Sequence, residues 1–460
     1  AWYILSAACL IYGIQLMGKI PTARKGNRIS SLGMLLAVST TLWNDPPKNA
    51  FLLILVVSLG ILVGVRMAVR TQMTAMPELV ALFNGFGSLS SLFIGLVEGL
   101  RYVEFPELYS SETVWWVQAS ASAAMIIGGI AFTGSLIAYG KLSRKIPSGS
   151  IHFLLQKHCC WGVLLLLFLL AADWIVDDDP YHVMYLAKIV LFSLIGGVIL
   201  TLHIGGGDMP VLISLLNSLS GIAACAAGMI SLNEVLIVAG CLVGMSGLVL
   251  TIVMCKAMNR SLWKVLLSGL KMQEEKAQKR SLGEPKSMSV EEAYYPLEAA
   301  RSVAIVPGYG LAVAQAQHAV KELAQKLTAN GAEVFYAIHP VAGRMPGHMN
   351  VLLSEADVDY DQLVALESAN ARFSETDVAI VVGANDVVNP AAVENPNSPL
   401  YGMPVLEVFK ARTVLVLKRG QGKGFSGLEN ELFLKENTRM IYGDAKKTLM
   451  QLAAEFKGDG

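Results

Sequence analysis

Three features of the chain predict a helical membrane bundle followed by an α/β domain with a doubly wound parallel sheet. Long apolar runs fill residues 1 to about 260 and end there. From about residue 270 the sequence has ordinary soluble character, and short β-branched runs alternate with helix-forming stretches. Between the two, residues 271–300 are rich in Lys, Glu, Ser and Gln, the mark of a linker entering a helix near Val290. The expected bounds are 1–260 for the membrane region, 261–289 for the linker and 290–460 for the soluble domain.

Composition agrees with this division. The chain is 54% hydrophobic and only 16% charged, with mean hydropathy +0.51, whereas soluble domains carry about 25% charged residues. A net charge of zero gives nucleic acid nothing to bind. The six cysteines (Cys9, Cys159, Cys160, Cys225, Cys241 and Cys255) all lie in the apolar half without zinc-ligand spacing, so they read as packing residues and no metal is expected. The first apolar run lacks a basic leader, so no cleavable signal peptide is expected. The chain opens on Ala1 rather than Met, which points to a trimmed start.

A transmembrane helix needs roughly 20 apolar residues. About nine candidate spans centre on 2–18, 30–44, 50–66, 77–97, 115–139, 159–176, 183–203, 209–230 and 234–255. Basic residues follow alternate spans: Lys19, Arg24, Lys25 and Arg28; Arg66 and Arg70; Lys141, Arg144, Lys145 and Lys157; Lys256, Arg260 and Lys264. The intervening loops are acidic or sparse, so the N-terminus is expected outside and the soluble domain inside.

Three spans carry stripes of small residues that let helices approach closely. They run Ala121, Ala124, Gly128, Ala131, Ser135, Ala138; then Ser214, Asn217, Ser218, Gly221, Cys225, Gly228; then Gly240, Gly244, Gly247, Thr251. Plain packing explains the first. The second adds the amide of Asn217, and polar groups inside a membrane usually face a partner or a water path. Ionisable groups near mid-membrane are almost absent, and His203 is the main exception. Imidazole titrates near physiological pH and can exchange protons; the bland alternative is an interfacial histidine. Asp208 precedes a helix opened by Pro210, where an N-cap is the bland reading.

In the soluble half, strands are expected at 302–306, 333–338, 378–382, 413–418 and 439–442. Helices are expected at 311–328, about 359–370, 404–410 and 444–456. After the first strand, Gly308 and Gly310 form a tight turn before helix-forming residues, the arrangement that sets a nucleotide pyrophosphate on a helix N-terminus in a Rossmann-like domain. The fingerprint is irregular: Val313 stands at the third glycine position and Ala314 is the next small residue. An NAD site usually offers a carboxylate to the ribose after the second strand. Here that strand ends Ile338-His339-Pro340, with Arg344 soon after, and Lys418-Arg419 follow the fourth expected strand. Guanidinium in place of carboxylate is the pattern for a 2′-phosphate, hence NADP; a solvated strand end is the alternative for Lys418 and Arg419. Gly383, Ala384, Asn385 and Asp386 also follow a strand, where ligands of such sheets bind. A turn or cap competes with that reading. No hydrolase elbow or Walker A motif is present.

These residues resemble a known family. His339-Pro340-Val341-Ala342-Gly343-Arg344-Met345-Pro346-Gly347-His348-Met349-Asn350, with Pro307-Gly308-Tyr309-Gly310 and Gly383-Ala384-Asn385-Asp386, closely resembles the β subunit of proton-translocating NAD(P) transhydrogenase. Cys255-Lys256-Ala257-Met258-Asn259-Arg260, Gly206-Gly207-Asp208-Met209-Pro210 and Glu78 in Met76-Pro77-Glu78-Leu79 extend the likeness to the membrane half. The resemblance implies a proton-translocating membrane domain and an NADP(H)-binding domain, with NAD(H) held by a partner α subunit that adds further helices. It implies hydride transfer from NADH to NADP⁺ coupled to inward proton movement. It also implies a dimer of heterodimers in a lipid bilayer, most simply the bacterial inner membrane with the soluble domain cytoplasmic; a mitochondrial or mitochondrion-related membrane is the alternative.

Carried over by position, Gly308, Tyr309, Gly310, Arg344, Asp386, Lys418 and Arg419 fall at cofactor-contacting places. Val313, Ala314, His339, Pro340, Val341, Ala342, Gly343, Gly383, Ala384, Asn385, Phe425, Gly443, Asp444 and Ala445 fall beside them. The family's nucleotide lies flipped from the usual dehydrogenase pose, which accounts for the irregular fingerprint. Two departures stand out. Asn84 occupies the place of the family's membrane histidine, so His203 is expected to have taken over titration, with Asn84, Asn217 and Asp208 along the path. Phe425 replaces a tyrosine in a loop over the cofactor. The rival class is an ion channel or solute transporter gated by a dinucleotide-binding domain, which would carry more polar groups at mid-membrane or a selectivity filter.

Overall fold

The computed structural model describes residues 2–18, 22–44, 46–110, 113–147, 151, 156–176, 182–205, 208–259, 261–267, 285–345, 347–396, 398, 400–420, 422, 424 and 428–456. The chain divides into two compact units: Ala1–Ile252 with Trp263–Leu270, and Val253–Leu262 with Lys271–Gly460.

The first unit is helical: α1 (Trp2–Met17), α2 (Ala23–Asn44), α3 (Ala50–Arg70), α4 (Met76–Glu104), α5 (Val114–Leu142), α6 (Gln156–Val176), α7 (His182–Leu202), α8 (Met209–Ile230), α9 (Glu234–Ala257) and the short α10 (Leu262–Leu267). Each of α1 to α9 stands where a span is expected. Seven of them, α3 to α9, are long and apolar enough to cross a membrane. α1 has only 16 residues, and α2 opens with Arg24, Lys25 and Arg28, which lower its hydropathy. α3 buries none of its residues and is apolar all round, the character of a helix made for lipid rather than water.

The small-residue stripes set the packing. A Cβ on Gly128 of α5 would stand 2.8 Å from Ser88 O of α4, and one on Gly95 of α4 would stand 2.8 Å from Ala121 O. Across α8 and α9, a Cβ on Gly221 would reach 2.8 Å from Gly244 Cα, and one on Gly247 2.8 Å from Ser218 N. Ser218 Oγ donates to Gly244 O at 2.7 Å and Thr251 Oγ1 donates to Ser214 Oγ at 3.1 Å, so the hydroxyls of the second stripe are satisfied between helices.

The second unit begins with α11 (Val290–Glu298), opened by a capping box of Ser289 and Glu292. Then follow β1 (Ser302–Pro307), α12 (Tyr309–Val313), α13 (Gln317–Ala329), β2 (Glu333–Ile338), α14 (His348–Glu355), β3 (Leu363–Ala365), α15 (Leu366–Arg372), β4 (Val378–Val382), α16 (Ala391–Glu394), β5 (Thr413–Lys418), β6 (Thr438–Tyr442) and α17 (Ala445–Glu455). The six strands form one parallel sheet in the order β3-β2-β1-β4-β5-β6. That order is doubly wound, and its direction reverses between β1 and β4. Residues of alternate parity from each strand feed two cores, one on each face. Val303, Ile305 and Ile380 lie on one, and Ala304, Val306 and Val381 on the other.

Three local expectations change. The helix expected over 311–328 is broken in two. Gln315 N–H donates to Ala312 O at 3.0 Å and Ala316 N–H to Leu311 O at 3.2 Å, a Schellman ending with Gln315 at φ +49°. The helix expected at about 359–370 is a 3₁₀ turn at Tyr360–Gln362, strand β3 and α15, because three residues of strand are too short to show a period in the sequence. The helix expected at 404–410 shrinks to a 3₁₀ turn at Val408–Lys410, behind Pro404.

Candidate functional site

The segments that follow β1, β2, β4, β5 and β6 start at the carboxyl edge of the sheet, and the sequence-predicted cofactor residues lie in them, in the first turns of α12 and α17, or, for Lys418, at the end of β5. Phe425 is the exception, since it lies outside the described residues. At the switch point the β1 and β4 loops touch backbone to backbone. Gly308 N–H donates to Val382 O and Gly310 N–H to Gly383 O, each at 2.9 Å. A Cβ on Gly308 would stand 2.5 Å from Gly383 O, and one on Gly310 2.6 Å from Gly383 Cα. Gly383 itself has φ +68°. The glycines are therefore demanded by the crossing of the two loops, and that crossing forms the floor of the crevice where ligands of doubly wound sheets bind.

The β2 loop folds back over Tyr309. The Arg344 guanidinium lies 4.4 Å from the Tyr309 ring centroid. His348, 1% exposed, accepts the Arg344 backbone N–H on Nδ1 at 3.1 Å, and its ring is 6.1 Å from that of Tyr309. Its Nε2 is buried without a hydrogen-bond partner. Burial, aided by the neighbouring Arg344 charge, pushes the His348 pKa down to about 4. Gly343 adopts φ +111° and a Cβ there would be 2.6 Å from His348 Nδ1, so this loop closes only around glycine. His348 stands inside the same motif, and its proximity to Arg344 in sequence is the only signal of its part here.

His339, at the start of the same loop, turns its ring into the domain. It is 1% exposed, with Nε2 2.8 Å from Pro404 O and Nδ1 accepting Val341 N–H at 3.2 Å. Neither ring nitrogen is left for a ligand. Burial pushes its pKa down to about 4, against the opposing pull of Pro404 O and Glu367. Val341 is half-buried, Ala342 buried and Pro340 exposed at the loop's rim. Val313 and Ala314, both half-buried, end α12.

On the β4 loop, Asn430 Nδ2 donates to Asn385 O and Oδ1 at 2.9 and 3.0 Å and fixes the turn that presents Asp386. Asn430 is 45 residues away in sequence, and no local pattern marks it. Gly424 closes against Asp386, since a Cβ there would be 2.8 Å from the carboxylate carbon. Lys418 donates to Gly422 O and lies 4.6 Å from the Phe433 ring centroid. Burial lowers its pKa, and the Asp386 charge opposes that. Arg419 is exposed beside it. Asp444 caps α17 by accepting Lys447 N–H at 3.2 Å, Gly443 N–H donates to Lys418 O at 3.1 Å, and Ala445 is buried as the first residue of α17. A cradle of close-packed glycine backbone, three basic side chains on the loops to either side of it and no carboxylate between Ile338 and Ser354 could hold an anionic dinucleotide bearing an extra phosphate.

In the helical unit, His203 follows the last residue of α7 and is 4% exposed. Its Nε2 lies 2.6 Å from Leu266 O of α10, and its Nδ1 3.4 Å from Ile199 O. Lys141 of α5, 1% exposed, donates to Ile204 O at 2.7 Å and to Leu202 O. The next residue, Ile204, packs with Ala81 of α4, Ala138 of α5 and Met209 and Leu212 of α8. Asn84 and Asn217 lie on α4 and α8, both half-buried, and the Asn84 amide nitrogen has no hydrogen-bond partner. Asp208, 8% exposed, stands at the N-cap position of α8, but its side chain bonds no α8 amide.

The comparisons agree along the whole chain. The family model described as NAD(P) transhydrogenase beta subunit matches residues 1–455. The chain belongs to the NAD(P) transhydrogenase β-subunit family. Two curated sequences from Rhodospirillum rubrum, each named NAD(P) transhydrogenase subunit beta, are 42% identical to it over 460 residues, spanning 98% of this chain and 97% of theirs. It is thus a transhydrogenase enzyme chain, with seven membrane-capable helices among the described residues and a doubly wound domain.

Proposed function

We propose that this β subunit binds NADP(H) at the carboxyl edge of its sheet and accepts hydride from NADH held by a partner α subunit, coupled to inward proton translocation. The observation that carries the reading is the switch-point crevice, with Gly308, Gly310 and Gly383 as its floor and Arg344, Lys418 and Arg419 on the flanking loops. Bound nicotinamide supplies the hydride chemistry itself. The chain holds the extra phosphate by its basic groups, keeps the loops apart by no more than glycine backbone allows, and places the Asp386 charge beside Lys418. In the bilayer His203 takes up and releases the proton, with Asn84, Asn217 and Asp208 lining its route. Differential affinity for NADP⁺ and NADPH in two states of the chain is what links the two halves. The assembly is a dimer of heterodimers in a bacterial inner membrane, with the soluble unit cytoplasmic and the N-terminus outside.

The test is cofactor discrimination by the full chain in detergent. NADP(H) should bind at least a hundredfold more tightly than NAD(H), and replacing Lys418 and Arg419 with Ala should cost about 2–4 kcal/mol for NADP(H), as loss of charge-assisted bonds does. Equal affinity for both cofactors would remove the reading.

A further inference from the structure

We propose that Lys141 is a positioning residue of the proton path, which holds the carbonyls on either side of His203 and sets the charge against which that imidazole takes up its proton. The inference rests on His203 being the titrating group. Both ring nitrogens of His203 approach backbone carbonyls, Leu266 O at 2.6 Å and Ile199 O at 3.4 Å. A carbonyl only accepts, so each nitrogen that bonds there must carry its own proton. Both contacts are hydrogen bonds only in the doubly protonated ring.

Lys141 bears on the same atoms from the other side. Its ammonium is bonded to Leu202 O and Ile204 O, the carbonyls of the two residues flanking His203. It therefore does two things at once. It bonds carbonyls at and just beyond the carboxyl end of α7, as a cation there can. When protonated it also places a positive charge beside a group that becomes positive on protonation, which like charge opposes. Carbonyls that hold the proton and an ammonium that repels it leave the imidazole poised between its two states. The elements packed around this point carry, in sequence, Glu78 on α4, Tyr139 on α5, Asp208 ahead of α8 and Lys264 on α10. The two bonds of Lys141 straddle His203. A ring that has lost one proton keeps the bond to Leu266 O of α10 or the one to Ile199 O, but not both.

In sequence Lys141 is one of several basic residues after the fifth span. Its burial and its bonds set it apart from Lys145, which is exposed over the Tyr139 ring.

The experiment uses the chain with its α partner in vesicles. Proton translocation driven by reduction of NADP⁺ by NADH is followed against pH, together with the pH dependence of NADPH affinity, which stays measurable when pumping is lost. Lys141→Met should move the midpoint of both profiles upward by about one pH unit, and Lys141→Arg should leave it in place. In a His203→Asn background, Lys141→Met should produce no shift. A shift of equal size with and without His203, or none at all, overturns the proposal and leaves Lys141 a cap of α7. Profiles of His203→Asn identical to wild type overturn instead the reading of His203 as the titrating group. Should Lys141→Met fail to assemble, Lys141→Gln, which keeps a donor and loses the charge, carries the same test.

Discussion

Gly308→Ala tests whether the crossing of the β1 and β4 loops is what builds the cofactor crevice. The added Cβ would stand 2.5 Å from Gly383 O. Ordinary contact for such a pair is about 3.5 Å, so the loops must part by roughly 1 Å. The bonds from Gly308 N–H to Val382 O and from Gly310 N–H to Gly383 O, now 2.9 Å, would stretch to about 3.9 Å, beyond hydrogen-bonding distance. Two lost bonds cost about 1 kcal/mol each, and the strain of overpacking adds about 1–3 kcal/mol. The local penalty is therefore about 3–5 kcal/mol. Two measurements on the full chain in detergent read it: NADP(H) affinity, and hydrogen exchange of the amides of Gly308 and Gly310. Affinity should fall at least a hundredfold while strand β5 keeps its protection. Gly420→Ala is the control, because its Cβ would meet nothing within 4 Å and stability should stay within about 0.5 kcal/mol of wild type. Unchanged affinity with unchanged protection at Gly310 would refute the reasoning.

Other expectations follow from single residues. His339 is held well below its ordinary 6.5, at about 4, so the unfolded chain binds the extra proton; stability is whole above pH 6.5 and falls as pH drops toward 4, by up to about 3 kcal/mol. His339→Gln should lose less of its exchange protection between pH 7 and 4.5 than wild type does, and equal losses would show that His339 is not the cause. Asp386→Asn should leave the apo melt nearly unchanged but alter NADP(H) affinity and its pH dependence, because its carboxylate stands against Gly424 and beside Lys418; a large apo loss with normal binding would make it a structural turn only. Asp357, exposed at φ +52°, ends α14 in the left-handed geometry that Gly331 supplies after α13. Asp357→Gly should therefore raise stability by about 0.5 kcal/mol in thermal unfolding, whereas Gly331→Ala should lower it by about 1 kcal/mol.

The sequence alone determined the order of things. Apolar run length and the stop near residue 260 located the membrane helices, because a bilayer demands about 20 apolar residues in a row. Buried parallel strands showed as continuous runs such as Val378–Val382, because both faces of the sheet are covered. Gly308, Gly310, Gly383, Arg344 and Lys418 were legible because each follows such a run. What tertiary structure alone decided is how distant residues divide the work. Gln315 breaks the helix after β1 because Leu311 and Ala312 carbonyls close a Schellman turn, which residue preference does not foretell. His339 turned inward to Pro404, and His348 instead braced Arg344, although both histidines stand in one motif. Asn430 reached Asn385 across 45 residues, and Lys141 reached the carbonyls beside His203 across 61 and 63. A backbone carbonyl has no letter in the sequence, so the partner that decides what a histidine or a lysine does becomes visible only once the chain has folded around it.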